Sequence, residues 1–128
     1  MAMDHRPLSP HLQIYKPQLT SILSITHRGT GVFLSLAALF LCCWLLAIAN
    51  GPDTYANLQT HITAWYGQII LFAFVFSFYF HFCNGVRHLI WDMGLGLDIK
   101  TTYISGYIVT GATILLTAAT WCLSRSGA

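Results

Sequence analysis

Charge is scarce in this chain. Asp, Glu, Lys and Arg make up 8% of its 128 residues while 55% are apolar, against about 25% charged residues in an ordinary soluble domain. That scarcity excludes a soluble globular domain. Apolar-polar alternation suited to a lipid-facing β-barrel is also missing, so helices are left as the means of satisfying the backbone in hydrocarbon. There is no CxxC pair and no CxxCH haem-attachment motif, which removes thiol-redox, zinc-finger and c-type cytochrome chemistry. Cys42, Cys43, Cys83 and Cys122 therefore read as small apolar packing residues. No internal repeat is present, and no nucleic-acid partner is expected.

What is present is three uncharged runs, Gly29 to Pro52, Thr54 to Val86 and Thr101 to Ser124. Each exceeds the roughly 20 residues that cross about 30 Å of hydrocarbon. They predict spans near 29–50, 62–86 and 103–124, hence an all-α integral membrane protein, a three-helix transmembrane bundle forming one domain. These spans leave no room for a soluble catalytic domain. Pro7, Pro10 and Pro17 punctuate residues 1–20, which read as an extended N-terminal arm. The arm has no short apolar core with a small-residue cleavage site, so the mature chain is expected to start near Met1. Thr20 or Ser21 is the expected cap of the first helix, and Thr101 or Thr102 that of the third. Gly51-Pro52-Asp53 ends the first span, and the 50–61 segment reads as a loop.

Loop charge predicts the orientation. Arg6, Lys16, Arg28, Arg87 and Lys100 precede the first span or flank the second connection, against Arg125 alone near the C-terminus. Basic residues favour the cytoplasmic or matrix side, so the N-terminus is expected inside. Tyr15, Trp91 and Tyr103 read as interfacial anchors. Gly106 and Gly111 mark a packing face on the third helix.

The chemistry gathers at the inner ends of the first two spans. Ser24, His27, Arg28 and Gly31 follow i, i+3, i+4, i+7 spacing, as His81, Gly85 and His88 follow i, i+4, i+7, so each set shares one helix face. Folded together, the faces predict a polar pocket of Ser24, three histidines and two arginines. His81 is deepest, about 9 Å along the helix from Arg87. An ionisable residue at that depth is costly and usually functional. Haem ligation, a neutral histidine hydrogen-bonded to a neighbouring helix, and a proton relay all fit its spacing. With His61 at the far side, a second axial ligand must come from another chain unless His27 supplies it. Ser24 and Arg28, one turn apart, offer a quinone a hydroxyl donor and a fixed positive charge, but equally suit a cap-region serine and a snorkelling anchor. His27 and His88 at the rim suit haem propionates. Asp92 suits a surface ion pair with Arg87 or Arg28, or proton delivery to the quinone.

Two segments resemble one family. Arg6-Pro7-Leu8-Ser9-Pro10-His11-Leu12-Gln13-Ile14-Tyr15, followed by Ser24-Ile25-Thr26-His27-Arg28-Gly29-Thr30-Gly31, is similar to the cytochrome b556 membrane anchors of succinate dehydrogenase, respiratory complex II. His81-X-X-X-Gly85-Val86-Arg87-His88-Leu89-X-Trp91-Asp92-X-Gly94 matches that family's second signature. Together they cover about a third of the chain.

The resemblance implies His81 as an axial ligand of haem b, with the other ligand on a second membrane anchor subunit. It implies Ser24 and Arg28 at the ubiquinone site, His27 near the haem propionates, and His88 and Asp92 in the same motif. It also implies an iron–sulfur subunit and an FAD flavoprotein that oxidises succinate, in a bacterial cytoplasmic or mitochondrial inner membrane. The 1–20 arm is placed to contact the iron–sulfur subunit. The anchor of a quinol:fumarate reductase and a haem-free structural anchor are the alternatives. A small channel or transporter fits poorly, because the polar residues gather at one side.

Overall fold

The computed structural model describes residues 16–127. Four helices follow in order: α1 (Leu19–Ala49), α2 (Pro52–Thr63), α3 (Trp65–Asp92) and α4 (Ile99–Ser126). Three of them, α1, α3 and α4, are long and apolar enough to cross a membrane, as the uncharged runs predict. No strand occurs among the described residues.

The helices outrun the predicted spans because charge, not backbone geometry, set the predicted ends. α1 has 31 residues, about 46 Å at 1.5 Å per residue, so its first turns extend beyond a hydrocarbon layer of about 30 Å. It starts after Gln18, which offers no side-chain cap. Thr20 and Ser21, the expected caps, are already helical, and so are the last two residues of the expected arm. Residues 1–15, with Arg6 and Tyr15, lie outside the described residues. α3 runs unbroken through His81 to Asp92. α4 is capped by Asp98, whose carboxylate accepts the Thr101 N–H at 2.9 Å. The cap thus lies three residues before the expected threonines.

The 50–61 segment is a helix rather than a loop. Gly51 turns the chain at φ 107°, Pro52 occupies the first helical turn and Asp53 faces its positive end, a strong start signal. Tyr55, Leu58, Gln59 and Ile62, spaced i, i+3, i+4, i+7, are its half-buried residues. The turn into α3 leaves no space at Gly67: an added Cβ would lie 2.7 Å from the Ile62 carbonyl oxygen.

Buried apolar residues are few, namely Leu23, Ala47, Phe80 and Val109, whereas Thr30, Ser77, Asn84, Arg87, Thr113 and Thr117 are all buried. This inversion follows from the solvent. Lipid tails are as apolar as leucine, so helices associate through small residues and internal hydrogen bonds. Gly106 lets α4 pack closely on α1, since a Cβ there would meet Leu23 Cδ1 at 2.8 Å. Tyr79 and Thr120 join α3 to α4 through a 2.8 Å hydroxyl pair. Gly111, the other expected packing glycine, faces open space. Cys83 packs on the Leu23–Phe80–Val109 cluster, but Cys42, Cys43 and Cys122 are exposed on the outer faces. All four are free thiols, as the reading of them as small apolar residues rather than disulfides expects.

Candidate haem and quinone site

α1 and α3 bring three histidines together. The rings of His27 and His81 stack at 4.0 Å with an interplanar angle of 5°. His88 lies 5.1 Å from His27 and meets Trp91 edge-on at 5.3 Å. All three are half-buried, so the cluster opens to the outside of this chain. Glycines make the approach possible. A Cβ on Gly31 would sit 3.0 Å from His81 Cε1, and one on Gly85 would sit 3.9 Å from His27 Cε1. Each histidine thus rests over a glycine of the facing helix.

Hydrogen bonds fix how His81 is protonated. Its Nδ1 lies 3.1 Å from the His27 carbonyl oxygen and 3.3 Å from Thr30 Oγ1. The Thr30 hydroxyl directs its one hydrogen at the carbonyls of Thr26 and His27, at 2.8 and 3.0 Å, which leaves its lone pairs for His81. A carbonyl can only accept. Nδ1 therefore carries a proton, and Nε2 is the nitrogen left to offer a lone pair. That is the arrangement of a metal-binding imidazole, whose second nitrogen donates to a carbonyl that orients the ring. His27 Nδ1 is buried without a partner among the described residues, a cost that an added acceptor would remove. An imidazole oriented by a carbonyl through Nδ1, with Nε2 left over, and an adjacent buried nitrogen with no partner among the described residues fit a haem.

His27 does not fit the role of second axial ligand to the same iron. Its ring is stacked face to face on His81 at 4.0 Å, which leaves no space for a bound group between the two imidazoles. Among the described residues, no group of three His, Cys, Asp or Glu could hold a metal ion without a macrocycle.

The expected pocket of two arginines is assembled differently. Arg87 is buried and turns toward α4, donating from Nε to Ser105 Oγ (2.9 Å), from Nη2 to the Thr102 carbonyl (2.8 Å) and from Nη1 to Asn84 Oδ1 (3.3 Å). Its guanidinium also lies 4.0 Å over the Trp91 ring. It ties α3 to α4 and does not pair with Asp92, which is exposed at the end of α3. Trp91 is half-buried with its indole N–H on the Gly96 carbonyl at 3.2 Å, so it is a packed residue rather than a free interfacial anchor. Arg28 is exposed and Ser24 half-buried. They lie one turn apart on α1, on either side of His27 in sequence. A groove of about 380 Å³ between α3 and α4 is lined instead by Arg87, Trp91, Ser105 and apolar neighbours.

Thr30 and Asn84 were missed as site residues by reasoning from ionisable side chains alone. Both were on the right faces, Thr30 three residues after His27 and Asn84 three after His81.

A sequence profile described as "Succinate dehydrogenase/Fumarate reductase transmembrane subunit" matches residues 3–120. The chain is 45% identical over 118 residues to the succinate dehydrogenase cytochrome b556 subunit of Rickettsia prowazekii, covering 92% of each chain. It is 38% identical over 125 residues to the cytochrome b560 subunit of Reclinomonas americana, covering 93% of this chain and 86% of that one. With the mitochondrial cytochrome b560 subunit of Homo sapiens it shares 39% identity over 116 residues, 88% of this chain and 68% of the human one.

Proposed function

The chain belongs to the succinate dehydrogenase/fumarate reductase transmembrane subunit family, and from that premise we propose that it is the haem b- and ubiquinone-binding membrane anchor of a succinate:quinone oxidoreductase. The observation that carries this reading is the seating of His81, with Nδ1–H on the His27 carbonyl and Nε2 free.

His81 Nε2 would hold the haem iron from this chain, together with a residue of a second anchor subunit. When bound, the haem takes up and returns single electrons. Thr30 and the His27 carbonyl hold the imidazole in its ligating tautomer. His27 and His88 hold the propionates, giving the buried Nδ1 of His27 a partner. Ser24 donates a hydroxyl hydrogen bond to one quinone carbonyl. Arg28 places a permanent positive charge where negative charge develops on quinone oxygen during reduction. Because Arg28 is exposed and Ser24 half-buried, the remaining walls of that pocket belong to neighbouring subunits: the second anchor, and an iron–sulfur subunit that receives electrons from an FAD flavoprotein oxidising succinate. Asp92, exposed at the end of α3, exchanges protons between water and this pocket. The basic residues Lys16, Arg28, Arg87 and Lys100 favour an N-terminus on the cytoplasmic or matrix side, in a bacterial cytoplasmic or mitochondrial inner membrane. The family description spans both reaction directions. The succinate dehydrogenase names of the relatives favour succinate oxidation over the fumarate-reducing alternative.

The test is copurification of the complex carrying Arg28→Ala. Quinone reduction should fall while succinate oxidation with a soluble artificial acceptor is retained. Equal loss in both assays would make Arg28 an assembly residue and overturn its role at the quinone.

A further inference from the structure

Asn84 has no exposed surface, the least of the buried residues among those described, and its amide lies between Arg87 and His88. Arg87 Nη1 approaches Asn84 Oδ1 at 3.3 Å, and Asn84 Nδ2 approaches His88 Nε2 at 3.4 Å. A guanidinium has donors only, so the amide oxygen must face Arg87. The amide NH2 must then face His88, and an NH2 donates. Nε2 of His88 therefore has to accept, which leaves its proton on Nδ1. We propose that Asn84 is a positioning residue that converts the fixed charge of Arg87 into a fixed tautomer of His88, neutral, with the proton on Nδ1.

Each link in the chain is forced by the one before. Arg87 is itself held by Ser105 Oγ and the Thr102 carbonyl on α4 and by the Trp91 face, so the amide cannot rotate without breaking a buried contact. An amide turned the other way would set NH2 against guanidinium and carbonyl oxygen against Nε2, leaving two buried groups unsatisfied, at a cost of about 1–3 kcal/mol each. Protonation of His88 on both nitrogens would oppose two donors at the Asn84 contact. The packing of α4 on α3 thereby reaches the histidine cluster through one side chain. Resting on the proposed haem reading, the role of this tautomer is to offer a donor, not an acceptor, to the carboxylate held beside His88.

Asn84→Asp separates positioning from packing. It keeps the shape of the side chain and an acceptor for Arg87 but presents His88 with oxygen in place of NH2, which draws a proton onto Nε2. The measurement is 15N solid-state NMR of the histidine-labelled, dithionite-reduced native complex, with the His88 signals identified by their loss in His88→Gln. In the native complex Nδ1 should give a protonated-type signal and Nε2 an unprotonated-type signal. In Asn84→Asp the Nε2 signal should move to the protonated type. An Nε2-protonated His88 in the native complex overturns the proposal, whether or not the variant assembles. An unchanged His88 in an assembled Asn84→Asp complex overturns it as well. A reduced-minus-oxidised spectrum of the same samples tests the haem reading separately: absence of the b-type band refutes haem binding and leaves the tautomer result standing on its own.

Discussion

Gly31→Ala is the most revealing single substitution, because it changes no ionisable group and still acts on His81. The new methyl carbon would lie 3.0 Å from His81 Cε1, where carbon atoms pack best at about 3.5–4.0 Å. The imidazole must retreat by roughly half an ångström or more. Its other constraints oppose this: one face is stacked on His27 at 4.0 Å, and Nδ1 is tied to the His27 carbonyl at 3.1 Å. Overpacking of this kind costs about 1–3 kcal/mol, and loss of the Nδ1 hydrogen bond adds about 0.5–1.5 kcal/mol. If only the ligating geometry suffers, these costs lower haem affinity by about 10- to 2,000-fold, at 1.36 kcal/mol per tenfold. The assay is haem per complex, from the reduced-minus-oxidised α band of protein copurified with its partners and titrated with haem. Gly29→Ala, on the same helix with nothing within 4 Å of the added carbon, is the matched control. Full haem occupancy at native affinity in Gly31→Ala would refute the claim that the bare surface of Gly31 seats the ligand.

Arg28→Ala should lower quinone reduction by about 10- to 100-fold, the equivalent of one charge-assisted hydrogen bond, with the artificial-acceptor rate intact; parallel kinetics with the two acceptors check it. Gly67→Ala should destabilise the protein by about 1–3 kcal/mol or more, because the obstacles are the backbone carbonyls of His61 and Ile62 rather than a movable side chain; thermal unfolding of the complex in detergent measures this. Asp98 sits outside the membrane spans, and the Thr101 N–H bond holds its carboxyl below the usual aspartate range. Its folded pKa is therefore below its unfolded one, so its stabilisation is complete above pH about 4 and fades as pH falls through the lower folded value. Comparing the native protein with Asp98→Asn across pH should show a difference that is constant at neutral pH and shrinks in acid.

The helices and the pairing of their polar faces were legible in the sequence because lipid imposes one rule, uncharged length, and the i, i+3, i+4, i+7 spacing of His27, Gly31, His81 and His88 imposes a second. Helix ends were less legible. Arg28 ended an uncharged run, but the backbone continued through it to Leu19, since a helix needs no hydrocarbon to persist. α2 was hidden by its low hydropathy, although Pro52 and Asp53 announced it. The fate of Arg87 was not legible either. Its solution is an intramolecular one built from Ser105, Thr102 and Asn84, and a spacing argument on α3 alone does not include α4. The stacking of His27 on His81 depended on the rotation of both helices about their axes, which only the packed structure fixes.

The most direct measurement of the central claim is a dithionite-reduced-minus-oxidised spectrum of the complex copurified from its native membrane, native beside His81→Ala. A b-type α band in the native complex, lost in His81→Ala with the subunits still associated, is the result the seating of His81 predicts. An intact, succinate-oxidising complex with no such band, or with a band that survives His81→Ala unchanged, would contradict it and make His81 a structural histidine bonded to its neighbouring helix.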